Sequence, residues 1–476
     1  MGKVGGFMEF GRKEPGYRPV AERLKDFKAV ETTLDARELN RQAARCMNCG
    51  VPFCHGAGCP LGNLIPEWNE AVYRRDWEYA LELLCSTSSF PEFTARICPA
   101  PCEAACVCEF SDEQPVSIRQ IELAIIEYGF DNGLVKPRPP ESRTGRKAAV
   151  VGSGPAGLTV ADVLNKLGHE VTVFDEWPKP GGILRYGIPE FKLEKWVVDR
   201  RIRLMEAEGV RFECGVSVGV DLSKRFISDR FDAVCLTGGA REPRDLTIPG
   251  RRLDGIHFAM DFLTRQNCKL DGEVIEPGEG IVATDRDVLV IGGGDTGSDC
   301  VGTALRQGAR SVVQVEIMPK PPEKRSVATP WPMWPDKLRS SSSHEEGGRR
   351  LWAKSVVEFV GDATTRLSAA KCLDVAWKEA EGRRRFELIP GSESLLEVDL
   401  ALVALGFIGP GENPIADQLG LKRDARGNIR VDEGYATSQP GVFAAGDMAG
   451  GQSLVVRAIA DGRKCAGHIH NHLTGR

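Results

Sequence analysis

Ala148-Ala149-Val150-Val151-Gly152-Ser153-Gly154-Pro155-Ala156-Gly157 decides the fold of the central part of this chain. The small apolar residues at its start read as a buried strand, the glycines as a tight turn, and the apolar periodicity from Leu158 to Leu167 as a helix. In that order, the glycines let the backbone approach a pyrophosphate, and the helix N-terminus stabilises its charge. The next strand, Glu170 to Phe174, ends at Asp175 and Glu176, where a carboxylate meets ribose hydroxyls. Gly152, Gly154, Pro155, Ala156, Gly157, Asp175 and Glu176 are therefore candidate contacts of a first dinucleotide.

The same unit recurs. Asp287 to Ile291 reads as a strand, Gly292-Gly293-Gly294-Asp295-Thr296-Gly297 as the turn, Ser298 to Gln307 as the helix and Ser311 to Val315 as the next strand. Gly292, Gly294, Asp295, Thr296 and Gly297 are the corresponding candidates. Phe231 to Gly239 and Val398 to Gly406 are alike, each a strand running into small residues and glycine, and each closes one nucleotide unit; Gly238 joins the candidates. A single glycine motif also occurs as a bare turn in α/β folds. Two complete strand, turn, helix and strand units in one chain argue for two bound dinucleotides.

Of the 15 cysteines, Cys46, Cys49, Cys54, Cys59, Cys85, Cys98, Cys102, Cys106 and Cys108 all precede the first unit. In a reducing compartment such density reads as metal or cluster ligation rather than disulfides. Cys46-x2-Cys49-x4-Cys54-x4-Cys59 and Cys98-x3-Cys102-x3-Cys106-x-Cys108 can wrap two four-iron clusters, with ligands exchanged between loops. Structural zinc is the alternative, disfavoured because only His55 is interspersed. Cys85 reads as a buried spare thiol. Cys106 and Cys108 would face nearly opposite ways on a helix, leaving one of them spare.

The fold expected is α/β: two nested Rossmann-like dinucleotide-binding domains preceded by a mainly helical iron–sulfur domain. The boundaries expected are 1–145 for the helical part, 146–252 and 406–476 for the outer nucleotide domain, and 253–405 for the nested one. A length of 476 residues suits several domains. Lys and Arg number 62 against 67 Asp and Glu, a net charge of −5, so nothing draws the chain to nucleic acid. With no membrane-length apolar run and no secretion signal over Met1 to Lys13, a cytoplasmic protein is expected, with no membrane partner.

Together, Arg45-Cys46-Met47-Asn48-Cys49-Gly50-Val51-Pro52-Phe53-Cys54, Cys98-Pro99-Ala100-Pro101-Cys102-Glu103 and Gly181-Gly182-Ile183-Leu184-Arg185-Tyr186-Gly187-Ile188-Pro189 resemble the family of glutamate synthase small (β) subunits. That family also takes in the N-terminal half of dihydropyrimidine dehydrogenase and NADPH-oxidising ferredoxin-linked flavoproteins. Pro330-Trp331-Pro332-Met333-Trp334-Pro335 points within it to glutamate synthase. Phe443-Ala444-Ala445-Gly446-Asp447 resembles the segment by which two-dinucleotide flavoproteins set an aspartate against the flavin ribityl chain. The resemblance implies FAD in the outer unit, with Gly182, Leu184, Gly446 and Asp447 among its contacts, and a nicotinamide nucleotide in the nested one. It also implies two [4Fe-4S] clusters, the first on Cys46, Cys49, Cys54 and Cys106. The second takes Cys59, Cys98, Cys102 and a fourth ligand that is either Glu122 or Cys108. Against the ligand reading, Glu122 also suits the solvated side of an amphipathic helix over Ser117 to Tyr128.

The implied activity is electron input. A nicotinamide gives up two electrons as hydride, a cluster accepts one, and a flavin converts between them. No catalytic side chain is expected. The partner implied is a glutamate synthase large (α) subunit that makes glutamate from glutamine and 2-oxoglutarate, because this chain has neither an N-terminal cysteine nucleophile after Met1 nor room for a second flavin domain. A ferredoxin reductase of the same family and a zinc-stabilised docking module are the competing readings. A disulfide reductase is disfavoured because no Cys-x2-Cys occurs beyond Cys108. Glu316, at the end of the nested unit's second strand, favours NADH, whereas Arg310, Lys320, Lys324 and Arg325 are candidates for the extra phosphate of NADPH. NADPH is the nucleotide expected. The loop Pro319 to Gly348, with six prolines, either faces a partner or packs across the nucleotide domain.

Overall fold

The computed structural model describes residues 2–274, 280–380 and 383–475. Two parallel five-stranded sheets organise the chain after residue 146. The first runs in the order Val442–Ala444, Ala233–Leu236, Lys147–Val151, Glu170–Asp175 and Arg211–Cys214. The second runs Ile256–Phe258, Leu400–Val403, Asp287–Ile291, Ser311–Val315 and Arg349–Leu351. The plan is the same in both. The strand leading into the glycine turn is central, and its partner pairs in matching register, Val151 with Phe174 and Ile291 with Val315. The first sheet takes its outermost strand from near the C-terminus, so the second unit is nested within the first.

Central strands covered on both faces must be apolar throughout, and Ala148, Ala149, Val150 and Val288 to Val290 are all buried. Helix Pro155–Lys166 follows the first turn and packs against the long helix Val455–Thr474, whose Ile459, Ala466 and Ile469 join Leu158, Ala161 and Leu164 in one core. A β-meander was not foreseen. Lys354–Gly361, Leu367–Ala380, Arg383–Leu388 and Ser394–Glu397 make an antiparallel sheet between the nested unit's last two strands in sequence. Its charged and apolar residues alternate only in short stretches broken by register shifts, which blurs the period-two signal.

The N-terminal part is mainly helical, built from Ala36–Ala44, Ile65–Tyr73, Trp77–Thr87, Pro91–Ile97 and Ile118–Asp131. It is fastened to the rest by its core as well as by charge. Phe90 and Phe93 are fully buried in the core of the first nucleotide unit, with Leu61 and Ile97 packed against it. Arg201 donates two hydrogen bonds to the buried Glu92 carboxylate, at 2.5 and 3.0 Å. Glu346, also buried, is shared by Arg306 of the nested unit and Arg23 of the N-terminal part. One buried carboxylate thus pairs with two buried guanidiniums, and Glu345 gives Arg23 a second partner at 3.3 Å. Glu346→Ala strands the buried Arg306 and leaves Arg23 only Glu345 and the Ser342 carbonyl, and thermal unfolding should read a loss on the order of 3 kcal/mol.

Candidate functional site

The first glycine turn opens into a cleft of about 690 Å³, a volume suited to a large cofactor. Gly152, Ser153, Gly154, Pro155, Ala156, Asp175, Glu176, Gly182, Gly238 and Asp447 line it. Gly152 sits at φ 104° with the carbonyl of Thr237 2.6 Å from where a Cβ would stand, so both conformation and space require glycine. Gly157 is needed for a different reason: its helix crosses so close that a Cβ would lie 1.9 Å from the carbonyl oxygen of Gly152. By contrast, a Cβ on Gly154 would meet nothing, because that face looks into the cleft. A cradle of backbone at a helix N-terminus, left open on one side, fits a pyrophosphate.

The two acids at the end of the second strand divide the work. Asp175 is buried, its carboxylate accepting from the backbone N–H of Ser153 at 2.6 Å, from the Ser153 hydroxyl at 2.5 Å and from the N–H of Trp177 at 3.0 Å. It braces the turn. Glu176 reaches the cleft and pairs with Arg241 at 2.5 Å, both side chains partly exposed. Burial raises the Asp447 carboxyl to about 6, against the hydrogen bond it accepts from Ser453 at 3.0 Å. Leu184 is fully buried in the core and does not face the cleft; its neighbour Ile183, which sequence reasoning passed over, does.

The second turn repeats the construction. Glu316 occupies the position of Asp175, accepting from the N–H of Gly293 at 2.6 Å and from that of Met318 at 2.9 Å. The carboxylate expected to read a ribose instead holds its own turn, as Asp175 does in the first unit. Gly294 and Asp295 are exposed, Thr296 half-buried, and Gly297 buried beneath the turn.

Two of the four basic candidates are elsewhere. Arg310 precedes the second strand and pairs with Asp287 at 3.2 Å and Asp399 at 3.7 Å, at the end of the sheet where the strands begin. Five residues of strand, roughly 16 Å, separate that edge from the turn. Arg325 donates to the carbonyls of Met333, at 2.6 Å, and of Ala104, at 3.0 Å, and so ties its loop to the N-terminal part. Lys320 and Lys324 are exposed beyond the strand end. Arg350, on the adjacent edge strand, feels the charge of Glu316 and was not foreseen, since its position depends on that strand's pairing.

The cysteines gather in two sets. Cys46, Cys49, Cys54, Cys106 and Cys108 line one small space with Asn69 and Phe53. Burial pushes the Cys46 thiol up to about 11, and the neighbouring Cys106 and Cys49 add to the effect. Cys106 goes the other way, lowered to about 7 by a hydrogen bond from Cys108. Cys108 therefore belongs beside the first set, which corrects its alternative place as a ligand of the second. Nor do Cys106 and Cys108 diverge: Cys106 lies just ahead of helix Val107–Asp112 in extended conformation, outside the helical repeat. Cys85 stands apart as expected, but it is exposed rather than buried.

Cys59, Cys98 and Cys102 form the second set, each raised by burial and each sensing the charge of Glu122. Glu122 is buried on helix Ile118–Asp131, not solvated, and burial raises its carboxyl to about 7 while Thr94 donates to it at 2.6 Å. Among the described residues, no three His, Cys, Asp or Glu side chains converge on a single-ion site. Two gatherings of thiols, the second beside a buried carboxyl that no cation contacts among the described residues, make a donor set that suits iron–sulfur clusters.

Comparison with known proteins agrees with this architecture. Residues 146–462 match the pyridine nucleotide-disulphide oxidoreductase family, and residues 23–134 match dihydropyrimidine dehydrogenase domain II, 4Fe-4S cluster. FprA, a Mycobacterium tuberculosis oxidoreductase whose structure has been solved with NADPH, shares the fold at a TM-score of 0.56 and 20% identity, over 70% of this chain and 85% of that one. The glutamate synthase [NADPH] small chain of Bacillus subtilis is 44% identical over 100% of this chain and 99% of its own length. Glutamate synthase [NADH] of Schizosaccharomyces pombe is 44% identical over 100% of this chain and 23% of its own. With 50% identity to the glutamate synthase [NADPH] small chain of Mycobacterium tuberculosis, over 100% of this chain and 97% of that one, the chain belongs to the glutamate synthase small-chain family.

Proposed function

We propose that this chain is the electron-input subunit of a glutamate synthase: it takes hydride from NADPH and delivers single electrons to a large subunit. The observation that carries the reading is the order of the sites along one body. The first glycine turn and its cleft belong to the outer nucleotide unit, 146–252 with 406–476. The second turn belongs to the nested unit, 253–405, and the thiols to the part before residue 146. FAD, when bound, supplies the conversion between two-electron and one-electron chemistry. Gly152, Gly154, Pro155 and Ala156 cradle its pyrophosphate, Glu176 meets ribose hydroxyls, and Gly182, Gly238 and Asp447 line the remainder of the cleft. Gly292, Gly294, Asp295, Thr296 and Gly297 hold the nicotinamide nucleotide.

Cys46, Cys49, Cys54 and Cys106 hold one [4Fe-4S] cluster, and Cys59, Cys98, Cys102 and Glu122 the other. Leu61 and Ile97, neighbours of Cys59 and Cys98, pack against the core of the outer nucleotide unit. The Glu122 set is thus the inner station and the Cys46 set the outer one, which faces the large subunit. The electron-input role places the chain in the cytoplasm; among the described residues no helix is long and apolar enough to cross a membrane.

Prepared without oxygen, the chain should carry one FAD and about eight irons with matching sulfide. Zinc in their place would overturn the cluster assignment. NADPH should reduce the flavin faster than NADH in stopped-flow mixing, and equal or better reduction by NADH would reverse the nucleotide assignment. Replacing Lys320 and Lys324 together by Ala should raise KM for NADPH about tenfold and leave that for NADH unchanged, as expected for the loss of charge-assisted hydrogen bonds. Arg310→Ala should leave both KM values within about twofold, since its exposed ion pairs lie at the far edge of the sheet.

A further inference from the structure

The Pro-rich loop after the nested unit's second strand lies on the N-terminal part. Trp331 donates its indole N–H to the carbonyl of Cys106 at 3.1 Å. Its ring packs against Phe53, with centroids 4.6 Å apart and planes at 52°, and against Phe110 at 5.2 Å and 43°. Phe53 precedes Cys54 and itself lines the space shared by the first thiol set. Arg325 holds the loop from one side by donating to the carbonyl of Ala104, and Arg325 and Lys337 approach the buried Glu109 carboxylate at 3.7 and 3.5 Å. A tryptophan on a segment of the nicotinamide-nucleotide unit therefore covers the loop that supplies Cys54 and bonds the backbone of Cys106.

The cover lies where water would otherwise reach. Cys49 and Cys54 are only partly buried, and Val51 between them is 73% exposed. Phe110, at the outer rim of the aromatic group, is 69% exposed. A cluster held by four thiolates becomes more negative on reduction, and water stabilises that added charge better than an aromatic ring does. Covering one side of it with rings holds its potential down and keeps dioxygen and water from its sulfides.

We infer that Trp331 is a positioning and shielding residue of the outer cluster: the nested unit lends it to exclude solvent from the Cys46, Cys49, Cys54 and Cys106 set and so keep that cluster's reduction potential low. The assignment rests on the cluster reading proposed above. It gives the Pro and Trp segment a place within the molecule, where sequence alone left packing and partner contact both open. It also sets two sides apart: Trp331 faces inward onto Phe53, while Phe110 is left largely exposed.

The test is a redox titration followed by electron paramagnetic resonance on the anaerobically purified full chain, with iron, sulfide and flavin contents measured on each sample. Trp331→Ala is expected to raise the midpoint potential of one cluster, leave the other where it was, and speed the bleaching of cluster absorbance in air several-fold. Trp331→Phe keeps a ring over Phe53 and should fall between Trp331→Ala and the unaltered chain. Should Trp331→Ala fail to load its clusters, Phe110→Ala, at the exposed rim, should shift the same potential in the same direction by a smaller amount. Unchanged potential and bleaching in loaded Trp331→Ala, or no shift in Phe110→Ala, would overturn the shielding role with the cluster reading intact. An unaltered chain without iron would overturn both.

Discussion

Replacing Cys46 by Ser is expected to remove the outer cluster, taking about half of the iron and acid-labile sulfide with it, and to leave flavin in place. Cys46 is 8% exposed and shares its space with Cys49, Cys54 and Cys106, and Asn69 approaches its sulfur. Burial pushes its thiol up to about 11, so binding of iron by Cys46 goes with release of its proton. A hydroxyl is a far weaker ligand for iron. Among the described residues, the cleft proposed for flavin draws none of its lining from before Val151, so flavin content should stay at the level of the unaltered chain. Reduction of the flavin by NADPH should survive, and electron delivery to the large subunit should fall to background. Iron, sulfide and flavin analysis of one preparation reads all of this. Loss of all the iron would mean that the two thiol sets load as a single unit.

Gly297→Ala should separate the two nucleotide sites just as sharply. The added Cβ would lie 2.2 Å from the carbonyl oxygen of Gly292 and 2.7 Å from the side-chain amide of Gln314, which itself donates to that carbonyl at 2.7 Å. Neither neighbour can yield cheaply: one is backbone and the other is buried. The helix must move away from the turn, and displacement of bound nicotinamide by even an ångström costs about 10²-fold in rate. We expect kcat/KM for NADPH to fall at least that far with flavin still bound. Gly157→Ala, with its Cβ 1.9 Å from the carbonyl oxygen of Gly152, should instead lose flavin. If Gly297→Ala lost flavin and Gly157→Ala kept it, the two nucleotides would have to exchange places.

The parts of this architecture that were legible in the sequence are those set by spacing along the chain. Both glycine turns, their flanking strands and the two groups of cysteines depend on neighbours a few residues apart, and the folded chain has them where the spacing puts them. What depends on distant pairing was not legible. Asp175 and Glu316 look like ribose carboxylates until the strand register brings each against the turn of its own unit. Arg310 looks close to the nucleotide by number, but parallel strands put it at the opposite end of the sheet. Cys108 and Glu122 could not be told apart as ligands, because the choice turns on helix Ile118–Asp131 laying Glu122 against Thr94 and toward Cys59, Cys98 and Cys102. The short β-meander and the seat of Trp331 belong to the same class.

Electron input makes one demand that no isolated property of the chain meets: glutamate must appear only when the two subunits are together. The decisive measurement is glutamate formed from glutamine and 2-oxoglutarate with NADPH, under anaerobic conditions, by the chain alone, by the large subunit alone and by the two combined. The chain alone is expected to oxidise NADPH with artificial acceptors and form no glutamate, and the combination to form it at a rate abolished by Cys46→Ser. Glutamate from this chain alone would contradict the account. So would a combination that forms none while a soluble ferredoxin is rapidly reduced, and that result would make the chain a ferredoxin reductase instead.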